Sequence, residues 1–330
     1  MNSPAQPTHT PPANSTTSAL VRTLSDAGTH LRMERVETPV VGKTQVLIEV
    51  RAIGLCRTDF YAISGAIKTK PGALIPGHEF SGVVVQTGDD VHDVSVGHHV
   101  VVNPVIPCGK CDDCQKDQAH CCAKTNFMGV DLDGACRDHV VVNASACHQV
   151  PEHISFEVAA FAEPVAATTS IFKANISSAE KGLLIGDSRI AKLANRVLQA
   201  HGFDQIQSAS LEEASQLEND QYDFVIEADV STKVVREMVR LIRPRGKLVL
   251  KSRQHHPIKW VLREMVLKEP TVQMVNYGRF DQAVDLIVSG RVRVDDLVGR
   301  KFPMKQFTTA LKYAAASEKR KTFLIPGDHS

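Results

Sequence analysis

The sequence predicts an α/β protein made of a β-rich lobe and a parallel sheet with helices on both faces. Three observations predict it. From Val21 to about Ala146, short β-branched runs recur between Gly, Asp and Asn, among them Phe80–Val85, Val100–Val102 and His139–Val142. After Glu152, the apolar runs Leu183–Ile185, Phe224–Ile226 and Leu248–Leu250 alternate with helical segments, as buried parallel strands do. One of those segments sets Ile190, Leu193, Ala194, Val197 and Leu198 on a single helical face.

Taken in order, residues 1–18 are Pro, Ser, Thr and Asn with little apolar content, and they read as a disordered tail. Val46, Ile48, Val50 and Ala52 alternate with Glu49 and Arg51, which suits a half-buried strand. A helix near Lys305–Ala316 and a strand at Thr322–Ile325 end the chain, with Lys319-Arg320-Lys321 between them reading as a solvated cluster. A length of 330 residues suits two domains.

Composition excludes several function classes. Lys and Arg number 38 against 37 Asp and Glu, a net charge of +1, so there is no electrostatic footprint for nucleic acid or an anionic membrane. No apolar run approaches the roughly 18–20 residues that span a bilayer. No apolar core follows the first residues, so no secretory signal is expected. Eight cysteines are too few for a disulfide scaffold; in a reducing, cytoplasmic setting they point to metal ligands.

Four of them, Cys108, Cys111, Cys114 and Cys122, are spaced x2, x2, x7. Tetrahedral zinc takes four thiolates near 2.3 Å, and tight turns at this spacing can wrap one ion. Four buried free thiols are the competing reading, but burial alone does not explain the spacing. Cys121, beside Cys122, leaves the register open by one residue. A second, dispersed group comprises Gly54-Leu55-Cys56-Arg57-Thr58-Asp59 after a strand, Pro76-Gly77-His78-Glu79 before another, and Glu163-Pro164 ahead of a helix. Cys, His and carboxylate ligands with a vacant fourth position are what catalytic zinc uses. Singly, each also reads as a core thiol, a loop histidine or a first-turn carboxylate.

Together and in this order, these segments resemble the zinc-containing medium-chain dehydrogenase/reductase family, the alcohol and polyol dehydrogenases, from about Leu20 to Ile325. The resemblance implies a GroES-like β-barrel catalytic domain (residues 19–165 and 297–330) enclosing a Rossmann domain (residues 166–296). It implies that Cys56, His78 and Glu163 bind a catalytic zinc, with Glu79 a further ligand or a group behind the ligands, and that the four-cysteine lobe binds a structural zinc. Thr58 matches the hydroxyl that takes the substrate proton, Asp59 looks structural, and Tyr61 stands where the family often extends the proton relay with His or Glu. The implied activity is hydride transfer between a secondary alcohol or polyol, or its ketone, and NAD or NADP. A homodimer or homotetramer with two zinc ions per chain, acting on a small molecule, completes the expectation.

The dinucleotide fingerprint departs from the family pattern. In Lys181–Ala191, Gly186 keeps the first glycine of G-x-G-x-x-G, Ser188 replaces the second and Ala191 the third. Gly186, Ser188, Arg189 and Ile190 would form the phosphate-facing turn, helped by a helix N-terminus. Ser210 stands where an acid would bind the ribose hydroxyls, and the segment before Tyr222 is too short for the family's usual extra helix and strand. Two readings therefore stand beside the dehydrogenase: a zinc enzyme without redox turnover, and a degenerate binding subunit.

Overall fold

The alternating run at Val46–Ala52 becomes an inner strand in the computed structural model, which describes residues 15–25, 28–116, 118–254, 256–317 and 319–327. Two compact units emerge, Met1–Glu163 with Val298–Ser330, and Pro164–Leu297.

The first unit opens with the hairpin β1 (Thr16–Ser25) and β2 (Gly28–Glu37), followed by β3 (Gln45–Gly54). Helix α1 (Arg57–Ser64) leads to β4 (Glu79–Thr87) and β5 (His99–Val102). The cysteine lobe holds β6 (Val105–Ile106), α2 (Asp112–Gln115) and β7 (Asn126–Phe127). Next come β8 (His139–Asn143), β9 (Cys147–Gln149), α3 (Phe156–Ala159) and α4 (Ala162–Thr169). The second unit runs β10 (Gly182–Ile185), α5 (Arg189–Gln199), β11 (Ile206–Ala209), α6 (Leu211–Ala214) and β12 (Tyr222–Glu227). It continues with α7 (Thr232–Leu241), β13 (Ile242–Leu250), α8 (Leu262–Lys268), β14 (Thr271–Met274) and α9 (Phe280–Val288). The chain then returns to the first unit with β15 (Val298–Pro303), α10 (Phe307–Ala316) and β16 (Lys321–Ile325).

In the first unit the strand order is β15-β16-β3-β4-β5-β9, with β8 also on β3. Strand β3 is more buried than its alternation predicts, because Leu47 and Ile53 are covered as fully as Val46 and Ile48. The partly exposed Glu49 and Arg51 pair at 3.0 Å. Strand β1 takes in Thr16–Ser18, which composition assigns to the tail; ten residue pairs with β2 override composition there, and Thr17 is buried. Of the tail, residues 1–14 lie outside the described residues.

The second unit is a parallel sheet of order β11-β10-β12-β13-β14. The chain leaves β10 for β11 on one side and returns to β12 on the other, so the order reverses between β10 and β12, at the crevice where doubly wound sheets bind dinucleotides. Leu183, Leu184, Phe224, Val225, Leu248 and Val249 are fully buried, as the continuous apolar runs predict. Against them α5 lays Leu193, Ala194, Val197 and Leu198. Among the described residues, no helix is long and apolar enough to cross a membrane.

The carboxyl end of α7 is closed by a side chain from α8. Lys268 Nζ donates to the carbonyls of Val239 (2.7 Å), Arg240 (2.8 Å) and Ile242 (3.0 Å). A cation there satisfies orphan carbonyls and complements the helix dipole. Lys268→Met should therefore cost roughly 1–3 kcal/mol in urea unfolding, the range for hydrogen bonds from a charged donor. An unchanged midpoint would mean that water serves those carbonyls equally well.

Candidate active site

Site geometry begins where β3 ends. Cys56 is the N-cap of α1, and Asp59, in the first turn, turns its carboxylate back on it. Asp59 Oδ2 accepts the Cys56 N–H at 2.8 Å, while Oδ1 accepts the Gly77 N–H at 3.2 Å and faces His78 Nδ1 at 3.1 Å. One buried carboxylate thus ties the Cys56 turn to the loop carrying His78, far beyond the local role its sequence suggests. With Nδ1–H donated to Asp59, the other ring nitrogen is left to act as a ligand, the usual carboxylate–histidine arrangement behind a metal. Gly77 makes the approach possible. Its φ is +99°, and a Cβ there would lie 2.9 Å from Cys136 Sγ.

Ligand atoms of Cys56, His78 and Glu79 all lie within 4.8 Å of one another. Burial presses the His78 pKa down, but the charge and hydrogen bond of Asp59, with Cys56 beside it, hold it well above the ordinary 6.5. A buried cluster of anionic groups that favours positive charge at its histidine fits a divalent cation. Glu163, on the first turn of α4, is also buried but is not part of this set as the side chains stand. Thr58 Oγ1 is 3.9 Å from Cys56 Sγ, and Tyr61 follows three residues on along α1.

The sequence gives no hint of Glu79's partner. Lys321, the first residue of β16, is fully buried and its ammonium pairs with Glu79 Oε2. The ammonium also lies 5.6 Å from the centre of the Phe161 ring. This corrects the reading of Lys319-Arg320-Lys321 as solvated: Lys321 points inward because β16 pairs with β3. Gly54 leaves room for the pair, since a Cβ on it would come within 2.8 Å of both Glu79 Oε2 and Lys321 Cδ.

The cysteine lobe brings the sulfurs of Cys108, Cys111, Cys114 and Cys122 within 4.8 Å of one another. Cys111–Cys114 is 3.4 Å and Cys108–Cys114 is 3.9 Å. A tetrahedron with Zn–S bonds near 2.3 Å has sulfurs about 3.8 Å apart, so the set fits zinc. Main-chain N–H donation, chiefly at Cys108, holds the Cys122 thiol down to about 6. Cys111 is pushed up to about 12, because bonding among the thiols and burial outweigh the Cys114 N–H that draws it down. Cys121 is exposed, outside the cluster, with its sulfur 3.2 Å from His120 Nε2.

In the second unit, the turn after β10 is built around Gly186, whose φ is +143° and whose missing Cβ would press on Ala228 and Ala191. Ser188, in place of the second glycine, is the N-cap of α5, its Oγ accepting the Ala191 N–H at 3.3 Å. Arg189 and Ile190 form the first turn of that helix, both half-buried. Ser210 is likewise an N-cap, of α6, its Oγ accepting the Glu213 N–H at 3.2 Å. In return Glu213 accepts the Ser210 N–H at 2.7 Å, which lowers the Glu213 pKa even though Asp187 nearby opposes it. Ser210 and Glu213 thus form a capping box, which puts a carboxylate on this edge of the sheet beside position 210.

Removing one partner of a buried ion pair leaves an uncompensated charge, at about 3–5 kcal/mol. Lys321→Met should destabilise the protein by that order in urea unfolding, and adding Glu79→Gln should recover part of the loss. A loss below about 1 kcal/mol would mean that the Glu79 charge is satisfied without Lys321.

Comparison with known proteins finds dehydrogenases. Residues 42–152 match the alcohol dehydrogenase GroES-like domain. An L-threonine 3-dehydrogenase of Bacillus licheniformis is 26% identical over 328 residues, covering 89% of this chain and 94% of its own. A sorbitol dehydrogenase of Halalkalibacterium halodurans is 25% identical, covering 94% of this chain and 99% of its own. Among solved structures, galactitol-1-phosphate dehydrogenase from Escherichia coli shares the fold at a TM-score of 0.80 and 22% identity, over 94% of this chain and 100% of its own. Dehydrogenase relatives thus span nearly the whole chain, and the structure gathers Cys108, Cys111, Cys114 and Cys122 in one group and Cys56, His78 and Glu79 in another, with Glu163 outside it. Residues 42–152 are an alcohol dehydrogenase GroES-like domain, and over nearly its whole length the chain is similar to dehydrogenases of the zinc-containing medium-chain type.

Proposed function

We propose that the protein is a zinc-dependent oxidoreductase that moves a hydride between a secondary alcohol or polyol, or its ketone, and NAD(P). The observation that carries this is the convergence of Cys56, His78 and Glu79 around one point, in a chain that also holds a doubly wound parallel sheet. We assign Cys56 and His78 as ligands of the catalytic zinc, with Glu79 the carboxylate already in reach and Glu163 the second candidate. The four thiols of the cysteine lobe would hold a structural zinc. When bound, the catalytic zinc supplies Lewis acidity to the substrate oxygen and the nicotinamide supplies the hydride acceptor.

The chain's own residues then do the rest. Asp59 orients His78 and fixes the Cys56 turn; Lys321 balances the charge of the buried Glu79. Thr58, beside Cys56, takes the proton from the substrate hydroxyl. Tyr61 is the next hydroxyl along α1. On the adenosine side, Glu213 and Asp187 suit ribose hydroxyls and repel a 2′-phosphate, which favours NAD over NADP. The named activities of the relatives favour redox turnover over a binding role, and a cytoplasmic setting would keep the ligand thiols reduced.

A polyol and secondary-alcohol screen with both cofactors tests the reading: turnover should be seen with NAD and be weaker with NADP. Cys56→Ala and His78→Ala should abolish turnover while elemental analysis still finds one zinc, because the two clusters share no ligand. Thr58→Val should keep both ions and lose about 10²- to 10⁴-fold in kcat. Full activity in the His78 variant would rule the assignment out.

We also infer a homodimer. Leu262, Val266 and Leu267 of α8 and Met274 of β14 are 67–73% exposed, and β14 ends its sheet. An open apolar edge invites aggregation unless it is covered, and a second copy pairing edge to edge would cover both. Sedimentation should give a dimer, and Val266→Lys with Met274→Lys should give a monomer; a monomeric parent would overturn the inference.

A further inference from the structure

Two clusters of the first unit that share no ligand are joined by one stretch of chain. The cysteine lobe lies between β6 and β7, and β7 leads from it straight onto the catalytic cluster. The Phe127 ring packs on the His78 imidazole, with centroids 5.1 Å apart and planes tilted by 56°. Two residues on, Gly129 lies against Gly77, where a Cβ would come 2.9 Å from the Gly77 nitrogen. Residues 133–136 then run hydrogen-bonded along the loop that ends in His78. Asp133 Oδ1 accepts the Ile75 N–H at 2.8 Å. Gly134, Ala135 and Cys136 donate their N–H groups to the carbonyls of Ile75 (2.7 Å), Gly77 (2.9 Å) and Pro76 (2.9 Å). Asp59 sets the position of His78, and the exit of the lobe limits the excursions of its ring from there.

The lobe has little to order it apart from its thiols. Among the described residues of 107–125, only Cys122 is buried, so no apolar core offsets the entropy of fixing this segment. Small metal lobes of this kind draw their folding free energy from the ion itself. What order the lobe has is passed on to β7. Thr125 donates its N–H to the Cys122 carbonyl and its hydroxyl to that of Ala119, both at 2.9 Å. Asn126 and Phe127 pair with Ile106 and Val105, and the Met128 N–H reaches the Pro104 carbonyl at 3.0 Å.

We propose that the cysteine lobe controls the catalytic cluster: a metal held by its four thiols tightens metal binding at Cys56 and His78, through Phe127 and the segment that follows it. An ion on the thiols fixes β7, and β7 fixes Phe127 against His78. Without that ion, the same contacts are ordered only when the catalytic metal binds, and its affinity falls by the cost of ordering them. This rests on the assignment of both clusters as zinc sites above.

The test is a chelator competition titration of the full chain with Zn2+, each site being read in variants that disable the other. Cys111→Ser with Cys114→Ser, which disables the lobe, should weaken zinc at the catalytic cluster at least tenfold. Linkage makes the effect reciprocal. Cys56→Ala, which disables the catalytic cluster, should therefore weaken zinc in the lobe by the same factor. Phe127→Ala should keep two ions and break the coupling, so that adding Cys56→Ala no longer alters the affinity of the lobe. Should the lobe variant fail to fold, the Cys56 and Phe127 variants decide alone. Unchanged lobe affinity in Cys56→Ala, or coupling that survives in Phe127→Ala, would overturn the proposal and leave the zinc assignments intact. A parent chain that binds fewer than two zinc ions would defeat those assignments and the proposal with them.

Discussion

A carboxylate with almost no access to water, Asp59, is the constraint on which the catalytic end of the first unit depends. Its two oxygens meet the Cys56 N–H, the Gly77 N–H and His78 Nδ1, so two loops that are distant in sequence share one buried anion. An anion buried this deeply is tolerated only when it is paired or hydrogen-bonded. Its three partners must therefore be placed together, which fixes the end of β3, the first turn of α1 and the entry to β4 as one assembly. Cys56 and His78 inherit their positions from that requirement, whether or not a metal is bound.

Glu79 adds a second buried anion next to the first, and here the fold answers with a cation instead of main-chain donors. Lys321 arrives on β16, 242 residues later in sequence. The strand that delivers it also pairs with β3 at Ile53 and Gly54. The first unit is consequently incomplete until the chain has passed through the whole of Pro164–Leu297 and come back. This gives a physical reason for a nucleotide-binding sheet to be inserted within the first unit and not appended to its end: the last strand carries the charge that its buried glutamate needs.

What could be read in the sequence follows from the distance over which each feature is determined. Cys108, Cys111, Cys114 and Cys122 lie within one short segment, so their spacing alone implies their geometry. The fully buried strands of the second unit are equally legible, since a parallel strand covered on both faces needs a continuous apolar run. Lys321 was illegible because three adjacent cations look solvated unless the strand pairing that turns one inward is known. Ser188 and Ser210 were visible only as losses from a cofactor motif. The structure makes each a helix N-cap, a role set by two or three backbone atoms that a positional comparison does not weigh. The Thr16–Ser18 segment was misassigned for a similar reason, composition being local and strand pairing not.

The shortened adenosine side shows how the fold accommodates a missing strand. Strand β11, only four residues long, ends the sheet, which limits the open edge it presents. Tyr222 Oη donates to Gln207 Oε1 at 2.6 Å, tying that edge strand to β12 past β10. The connection from α6 to β12 is gathered by one guanidinium: Arg240 donates to the carbonyls of Ala214 (2.7 Å) and Leu217 (2.6 Å) and to Asn219 Oδ1 (2.7 Å). Irregular backbone leaves polar groups that must find partners, and a single charged fork serves two of its carbonyls here together with an asparagine side chain. A decaying domain would be expected to leave such groups to solvent. The shortened half is instead closed by specific bonds, and its edge carries the Ser210–Glu213 capping box and the start of α5.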